Sequence, residues 1–335
     1  MTSSHSPGLA QLPLDPEPKK PKRRKHRDWS GATFGLLLGT FGMFGARLGQ
    51  LWIGFDIFAQ FWVQFGFIAL ASALGLFSPR YKTLVAVVFC VVFVAGYSVW
   101  PHYVSSGPAS PVAAARDGEV VLRVASFNTF AENNNLDAIA NEILRLDADV
   151  VTLVEFSATK AAVLGKVRKV YPYQQQCVNV AIACETAIIS KSPLTYVSDL
   201  DYWEGPPYLM AQMGPEFGNV AIVAAHTSRF PHQRAQLKQV LALVKLLELQ
   251  PSRIILMGDF NATPFSRITQ VIADNLGLTR LTFLPTWPAT FGLPQIAIDH
   301  IFVSPSIRAL DHERIGEFAG SDHYPITITL AVPKQ

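Results

Sequence analysis

The sequence predicts an α/β protein in two parts, a layered α/β domain carried behind three transmembrane helices. Three observations predict it. Residues 31–101 hold three long apolar stretches, with only Arg47, Asp56, Arg80 and Lys82 charged among them. After Glu119 the texture changes to short β-type apolar runs alternating with helical patterns. Of the 335 residues 50% are apolar and only 16% charged, against roughly 25% charged in an average soluble domain. The same composition excludes a disordered chain, a collagen, a coiled coil and a disulfide-dense mini-protein.

Residues 1–30 are polar and Pro-rich and end in Lys19-Lys20-Pro21-Lys22-Arg23-Arg24-Lys25-His26-Arg27. They read as a disordered basic tail. A nucleic-acid or nuclear-localisation patch is the rival reading, and the apolar stretches that follow count against it. Those stretches run from about 31 to 51, 55 to 77 and 83 to 100, each near the ~20 residues that cross a hydrocarbon core. Gly35, Gly39, Gly42, Gly45 and Gly49 give the first a small-residue face for close helix packing. Trp52, Trp62, Trp100 and Tyr103 suit interfacial positions. A cleaved signal peptide has a single short apolar core, and buried helices of a soluble core show polar faces.

Basic residues set the expected orientation. The tail and the loop Ser78-Pro79-Arg80-Tyr81-Lys82 are both basic and belong on the cytoplasmic side. Three spans then deliver the rest of the chain to the periplasm or cell exterior. Residues 102–335 carry 18 basic and 21 acidic side chains, net −3, so the overall +3 comes from the tail and gives no support for a nucleic-acid surface on the large domain. Cys90 lies within the third stretch, while Cys177 and Cys184 flank a short segment. They are either a disulfide of an oxidising compartment or two free buried thiols.

Residues 102–118, with Ser105-Ser106-Gly107-Pro108, form a linker, and residues 119–333 the domain. Expected strands are 120–126, 150–154, 186–190, 219–225, 253–257, 298–303 and 326–332. Helical spacing covers 136–146 and about 231–249. Polar residues punctuate the ends of these runs: Asn128, Glu155, His226, Asp259 with Asn261, Asp299 with His300, and Asp322 with His323. A lone strand-end Asp is ordinarily a turn former, but strand ends on one side of a sheet converge.

The ordered set SFNTF, LVEF, AAHTS, GDFNATP, AIDHIFVS and GSDHYPI resembles the endonuclease/exonuclease/phosphatase superfamily over about residues 121–330. The group includes deoxyribonucleases, abasic-site endonucleases, inositol-polyphosphate 5-phosphatases and neutral sphingomyelinases. The resemblance implies a four-layer α/β sandwich, two mostly antiparallel sheets flanked by helices. It implies Mg²⁺, or Mn²⁺ or Ca²⁺, held at Glu155 with Asn128 in support and Asp322 near or in the site. Asp259 would orient or deprotonate the attacking water and Asn261 donate to a phosphate oxygen. His323 would contact the phosphoryl group with Asp299 fixing its tautomer, and His226 stabilise the transition state or leaving group. Arg229 and Arg234 follow His226 as candidates for substrate phosphate, against a plain reading as helix-start packing and surface charge. His300 reads as structural.

Two features depart from the nuclease pattern: Phe156-Ser157-Ala158 follows Glu155 without a basic residue, and Gln295-Ile296-Ala297-Ile298 precedes Asp299 without an Arg. The leading expectation is therefore a membrane-anchored, metal-dependent phosphoesterase acting outside the cytoplasm on a lipid head group or small phosphoester. An extracytoplasmic endo- or exonuclease, and a non-catalytic membrane scaffold that keeps the fold, are the alternatives.

Overall fold

The computed structural model describes residues 31–75, 114–179, 184–197, 204–250, 253–292 and 295–334. The basic tail, the third apolar stretch and residues 102–113 of the linker lie outside them.

Two mixed β-sheets form the large domain. The first orders its strands β11-β13-β1-β2-β4-β3, with β12 also on β13; here β1 is Glu119–Asn128, β2 Val150–Val154, β3 Tyr173–Asn179, β4 Cys184–Ser190, β11 Arg308–Ala309, β12 Arg314–Ile315 and β13 Ile326–Pro333. The second orders β5-β6-β7-β8-β10-β9, with β5 Leu194–Tyr196, β6 Tyr208–Met213, β7 Ala221–His226, β8 Ile254–Asp259, β9 Thr279–Arg280 and β10 Asp299–Val303. All pairings are antiparallel except two, β1 with β2 and β7 with β8. Each parallel pair needs a crossover, and a helix supplies it.

Period-two alternation divides each central strand between two cores. Ile255 and Met257 of β8 join Leu122, Val124 and Ile188 in the layer between the sheets. Ile254 and Leu256 face Val240, Leu243 and Ile272 on the outer helices α6 (Gln233–Glu248) and α7 (Arg267–Leu276). On the far side, Ala125, Phe127, Val151 and Ile189 pack under α4 (Leu136–Leu146) and α5 (Ala161–Val167). The result is helix, sheet, sheet, helix. Helix α4 starts where Asn135 accepts from the Ala138 amide at 3.1 Å and stops at Asp147, which is left-handed at φ 47°. Cys177 and Cys184 are bonded to each other and tie β3 to β4.

The N-terminal apolar region differs from three straight spans. Helix α1 covers Gly31–Leu48, a 3₁₀ turn covers Ile53–Asp56, and α2 (Ile57–Gln60) precedes α3 (Trp62–Gly75). Among the described residues no single helix is long and apolar enough to cross a membrane. Ile53–Gln60 and Trp62–Leu74 together have the length and composition, but they are bent by 64°. Glycines, Thr40 and Arg47 dilute the apolar character of α1. The second stretch breaks because Asp56 and Gln60 are buried against the large domain, which captures its first turns. Helices α1 and α3 form an antiparallel pair in which Gly39 is obligatory: a Cβ there would lie 2.6 Å from the Phe65 carbonyl oxygen.

Candidate active site

The two parallel pairs put their carboxyl ends at one edge of the sandwich. In the first, β1 ends on Asn128, opposite Val154, and Glu155 follows β2. In the second, His226 is in register with Asp259, and antiparallel β10 starts with Asp299 opposite Asp259. Asp322 and His323 arrive on the turn before β13. The turn is pinned by Ser321, whose hydroxyl donates to the Asn128 carbonyl at 2.7 Å.

Backbone strain gathers here. Phe130, Glu155 and Asn261 are left-handed non-glycine residues, at φ 57°, 52° and 45°, a conformation that persists only where the surroundings hold it. Gly258 has φ 148°, and a Cβ on it would overlap the Ala225 carbonyl oxygen. That glycine lets β7 and β8 approach closely enough to set His226 beside Asp259.

Asp259 is the hub, 1% exposed. Its Oδ1 accepts from the Asn261 backbone amide at 2.7 Å. Its Oδ2 accepts from Asn128 Nδ2 at 3.0 Å and Asn261 Nδ2 at 3.3 Å, and lies 3.6 Å from His323 Nε2 and 3.7 Å from His226 Nε2. Burial pushes the Asp259 carboxyl up, and nearby Asp299 adds to this against the opposing His323 and His226 charges. Asn128 also donates to Glu155 Oε1 at 3.0 Å, so one amide bridges the two carboxylates. Its own Oδ1 accepts from the Phe130 amide at 2.9 Å.

Burial raises Glu155 as well, but the His226 charge and donors from Asn128 and the Ala131 amide outweigh it and hold the carboxyl below its ordinary value. His323 Nδ1 is 2.8 Å from Asp299 Oδ2, which also accepts from the Thr286 hydroxyl at 2.6 Å. Burial alone would lower the His323 pKa, yet Asp299 and Asp259 raise it to about 10. Because the folded value exceeds the ordinary 6.5, the stability gained by holding this proton is complete below about pH 6.5 and lost as pH rises through about 10. In metal-free buffer the unfolding midpoint of the wild type therefore falls more steeply between pH 7 and 10 than that of His323→Gln. Thermal scans across that window check it, and parallel slopes would contradict it.

The site opens on a cavity of about 640 Å³ lined by Glu155, His226, Asp259, Asn261, Asp322 and His323, with an aromatic flank of Phe130, Phe230 and Trp287. Arg229 also lines it. Arg234 does not; its guanidinium sits 5.8 Å from the Trp52 ring centre. His300 turns away from the cavity, with Nε2 on the Ala262 carbonyl and Nδ1 on Thr282. Burial and the Arg280 charge push its pKa down to about 3, so it is neutral.

A hard divalent cation suits this donor set. Ligand atoms of Glu155, His226 and Asp259 lie within 4.8 Å of one another. The triad Asp259, Asp299 and His323 also does, but there Asp299 and His323 already bond each other. Asp322 offers a buried Oδ1 with no hydrogen-bond partner among the described residues, 4.0 Å from His323 Nε2, while its Oδ2 accepts from Trp287 Nε1 at 3.1 Å. Carboxylate oxygens of this kind are what Mg²⁺, Mn²⁺ and Ca²⁺ prefer.

Sequence reasoning missed Lys160, Thr286 and Trp287. Lys160 is 1% exposed, and its ammonium donates to the carbonyls of Phe130, Ala131 and Glu155 at 2.6, 3.1 and 2.8 Å. It clamps the two strained turns that present Glu155. No local pattern marks it, because its partners come from two separate turns. Lys160→Met strands three carbonyls and is expected to cost about 2–3 kcal/mol and to weaken divalent-ion binding roughly tenfold. Calorimetric melting and Mn²⁺ titration check both. Loss of stability with unchanged ion affinity would remove the link to Glu155.

Comparison with known proteins agrees with this architecture. Residues 125–323 match the model of the Endonuclease/Exonuclease/phosphatase family. No curated protein sequence is similar enough to match. Among solved structures, an endonuclease/exonuclease/phosphatase family protein from Bacteroides thetaiotaomicron aligns with TM-score 0.51 at 16% identity, over 64% of this chain and 98% of that one. Humanised D. rerio TDP2 aligns with TM-score 0.49 at 18% identity, over 63% of this chain and 98% of that one. Sphingomyelinase C from Streptomyces griseocarneus aligns with TM-score 0.46 at 15% identity, over 63% and 99%. At 16% identity the Bacteroides thetaiotaomicron protein speaks for the fold alone, and the other two likenesses carry no argument here. The family match spans more than half the chain and runs from β1 to the Asp322–His323 turn, so the chain belongs to the endonuclease/exonuclease/phosphatase family and is a hydrolase of phosphoester bonds.

Proposed function

We propose that the protein is a membrane-associated, divalent-metal-dependent phosphoesterase that acts outside the cytoplasm on a lipid head group or a small phosphodiester. The observation that carries the chemistry is the convergence of Asn128, Asn261, His226 and His323 on the buried Asp259 carboxylate.

A phosphodiester is anionic and resists attack, so its hydrolysis needs charge neutralised, water activated and the leaving oxygen stabilised. Glu155, with Asp322 as a second carboxylate, would hold the cation, which when bound supplies Lewis-acid charge to a phosphoryl oxygen. Asp259 orients the attacking water and takes its proton as the water oxygen bonds to phosphorus and the ester P–O bond breaks. Burial raises its proton affinity, which suits a general base, and the Asn128 amide keeps it in register with Glu155. Protonated His323, held by Asp299, donates from Nε2 to the phosphoryl group. Asn261 donates to a phosphate oxygen, and His226 stands by the leaving oxygen.

The substrate reading rests on the cavity wall. Phe130, Phe230, Pro231 and Trp287 face it, and Arg229 is the one Lys or Arg among its described lining residues. Double-stranded DNA is gripped through many phosphate contacts, which this wall does not offer. Membrane association is supported by Phe34, Leu37, Phe41, Phe44, Phe67 and Leu74, all exposed on the α1–α3 pair. The bonded Cys177 and Cys184 and the basic residues before and within the apolar region support the extracytoplasmic side.

The test uses the full-length chain in lipid nanodiscs, offered mixed phospholipid, bis-p-nitrophenyl phosphate and plasmid DNA side by side. Phospholipid turnover that is insensitive to competitor DNA is expected. Preferred cleavage of DNA, falling steeply between 50 and 200 mM salt, would transfer the reading to a nuclease.

A further inference from the structure

The apolar N-terminal region touches the catalytic loop through a set of buried hydrogen bonds. Asp56 has no solvent exposure. Its Oδ1 accepts from the Arg267 backbone amide at 2.7 Å, and its Oδ2 from the Ser266 hydroxyl at 2.5 Å and Gln60 Nε2 at 3.4 Å. One turn on, Gln60 Oε1 accepts from the Thr263 amide at 2.8 Å, and the Ala59 carbonyl accepts from the Thr263 hydroxyl at 2.8 Å. Ring contacts flank this seam, Trp62 stacking on Phe265 and Phe61 meeting Phe230 edge to face.

These partners are not scattered. Thr263, Ser266 and Arg267 belong to the loop that begins at Asp259 and Asn261 and ends where α7 starts. At its first end Asn261 is held by Thr227, to whose carbonyl its Nδ2 donates at 3.0 Å, and at its second end the loop is held by residues more than 200 positions upstream. A tether that only anchors a domain needs no buried carboxylate, which is costly unless its oxygens are satisfied. Here the donors that satisfy it come mainly from the catalytic loop.

We infer that Asp56 and Gln60 are positioning residues for hydrolysis: the first turns of the second apolar stretch complete the active site by fixing the loop that carries Asp259 and Asn261. The inference rests on the catalytic reading of those two residues. Misplacing a reacting group by about 1 Å costs on the order of 100-fold in rate, and the effect falls on kcat rather than KM because no group contacting substrate is removed.

The experiment uses the full-length chain in detergent micelles with Mg²⁺ and bis-p-nitrophenyl phosphate, comparing wild type, Asp56→Asn, Asp56→Leu, Gln60→Leu and Asp259→Asn. Each is assayed well below its own melting temperature, with hydrogen exchange read on peptides covering 260–267. Asp56→Leu is expected to lose about 100-fold in kcat with KM within about twofold, Asp56→Asn to retain most activity because its amide keeps one acceptor for Arg267, and Gln60→Leu to fall between. Faster exchange confined to 260–267 should follow the same rank order. The isosteric Asp56→Asn and the milder Gln60→Leu keep the question decidable if Asp56→Leu does not fold. Wild-type kcat in a folded Gln60→Leu with faster loop exchange, or unchanged exchange with lowered kcat, overturns the positioning role. Retained turnover in Asp259→Asn overturns the catalytic reading instead.

Discussion

Asp259→Asn lowers kcat for diester hydrolysis by about 10³-fold, within the range general-base catalysis supplies, while KM changes only a few-fold. An Asn at 259 keeps an acceptor for the Asn261 backbone amide, but its own NH₂ then faces Asn128 Nδ2 and Asn261 Nδ2, donors against donors. The variant therefore loses proton acceptance and also the bridge to Glu155. A stability loss of about 1–3 kcal/mol accompanies it, partly offset because a buried charge is removed. Steady-state kinetics beside thermal melting check the pair of effects. A kcat within tenfold of wild type would remove Asp259 from the chemistry.

Glu155→Gln is expected to raise the Mg²⁺ concentration for half-maximal activity by at least about 100-fold, since it replaces an anionic oxygen by a neutral amide in a site that draws its affinity from charge. The change is isosteric, and Gln can still accept from the Ala131 amide, which donates to Glu155 Oε2 at 2.7 Å. Folding should survive, and the metal requirement is what moves. Titration of activity with Mg²⁺ and Mn²⁺ checks it. An unaltered metal dependence would shift the cation site to the Asp299–His323 side of Asp259.

Much of the large domain was legible because its central strands are buried on both faces. Residues 150–154 and 253–257 read as largely apolar runs, and the strands there are Val150–Val154 and Ile254–Asp259. Amphipathic spacing likewise marked α4 and α6, though α6 starts at Gln233 rather than Pro231. The edge strands β9, β11 and β12 span two residues each, too short for any period. Helix α7 had readable caps, Ser266 before it and a left-handed Gly277 after it, but its start is hidden behind the turn chemistry of Ala262-Thr263-Pro264.

At the site, strand-end position was the readable signal, and the residues it selected come together at the site except His300, which turns away. What it could not read was long-range pairing. Lys160 lies five residues after Glu155, and nothing nearby predicts that three carbonyls close around it. In the sequence Asp56 and Gln60 are polar residues within an apolar stretch, and no local pattern pairs them. Their partners lie more than 200 residues away, so the bend that replaces a straight second span follows from tertiary contacts rather than local composition. Arg234 follows His226 by eight residues in sequence, yet it sits over the face of Trp52 in the apolar region.

The most direct measurement is the initial rate of bis-p-nitrophenyl phosphate hydrolysis by the full-length chain with Mg²⁺, after EDTA, and after Mg²⁺ is restored, with His323→Ala alongside. Turnover is expected that EDTA abolishes, that Mg²⁺ restores, and that falls by at least about 100-fold in the variant. Turnover indifferent to EDTA, or undiminished without His323, would contradict it.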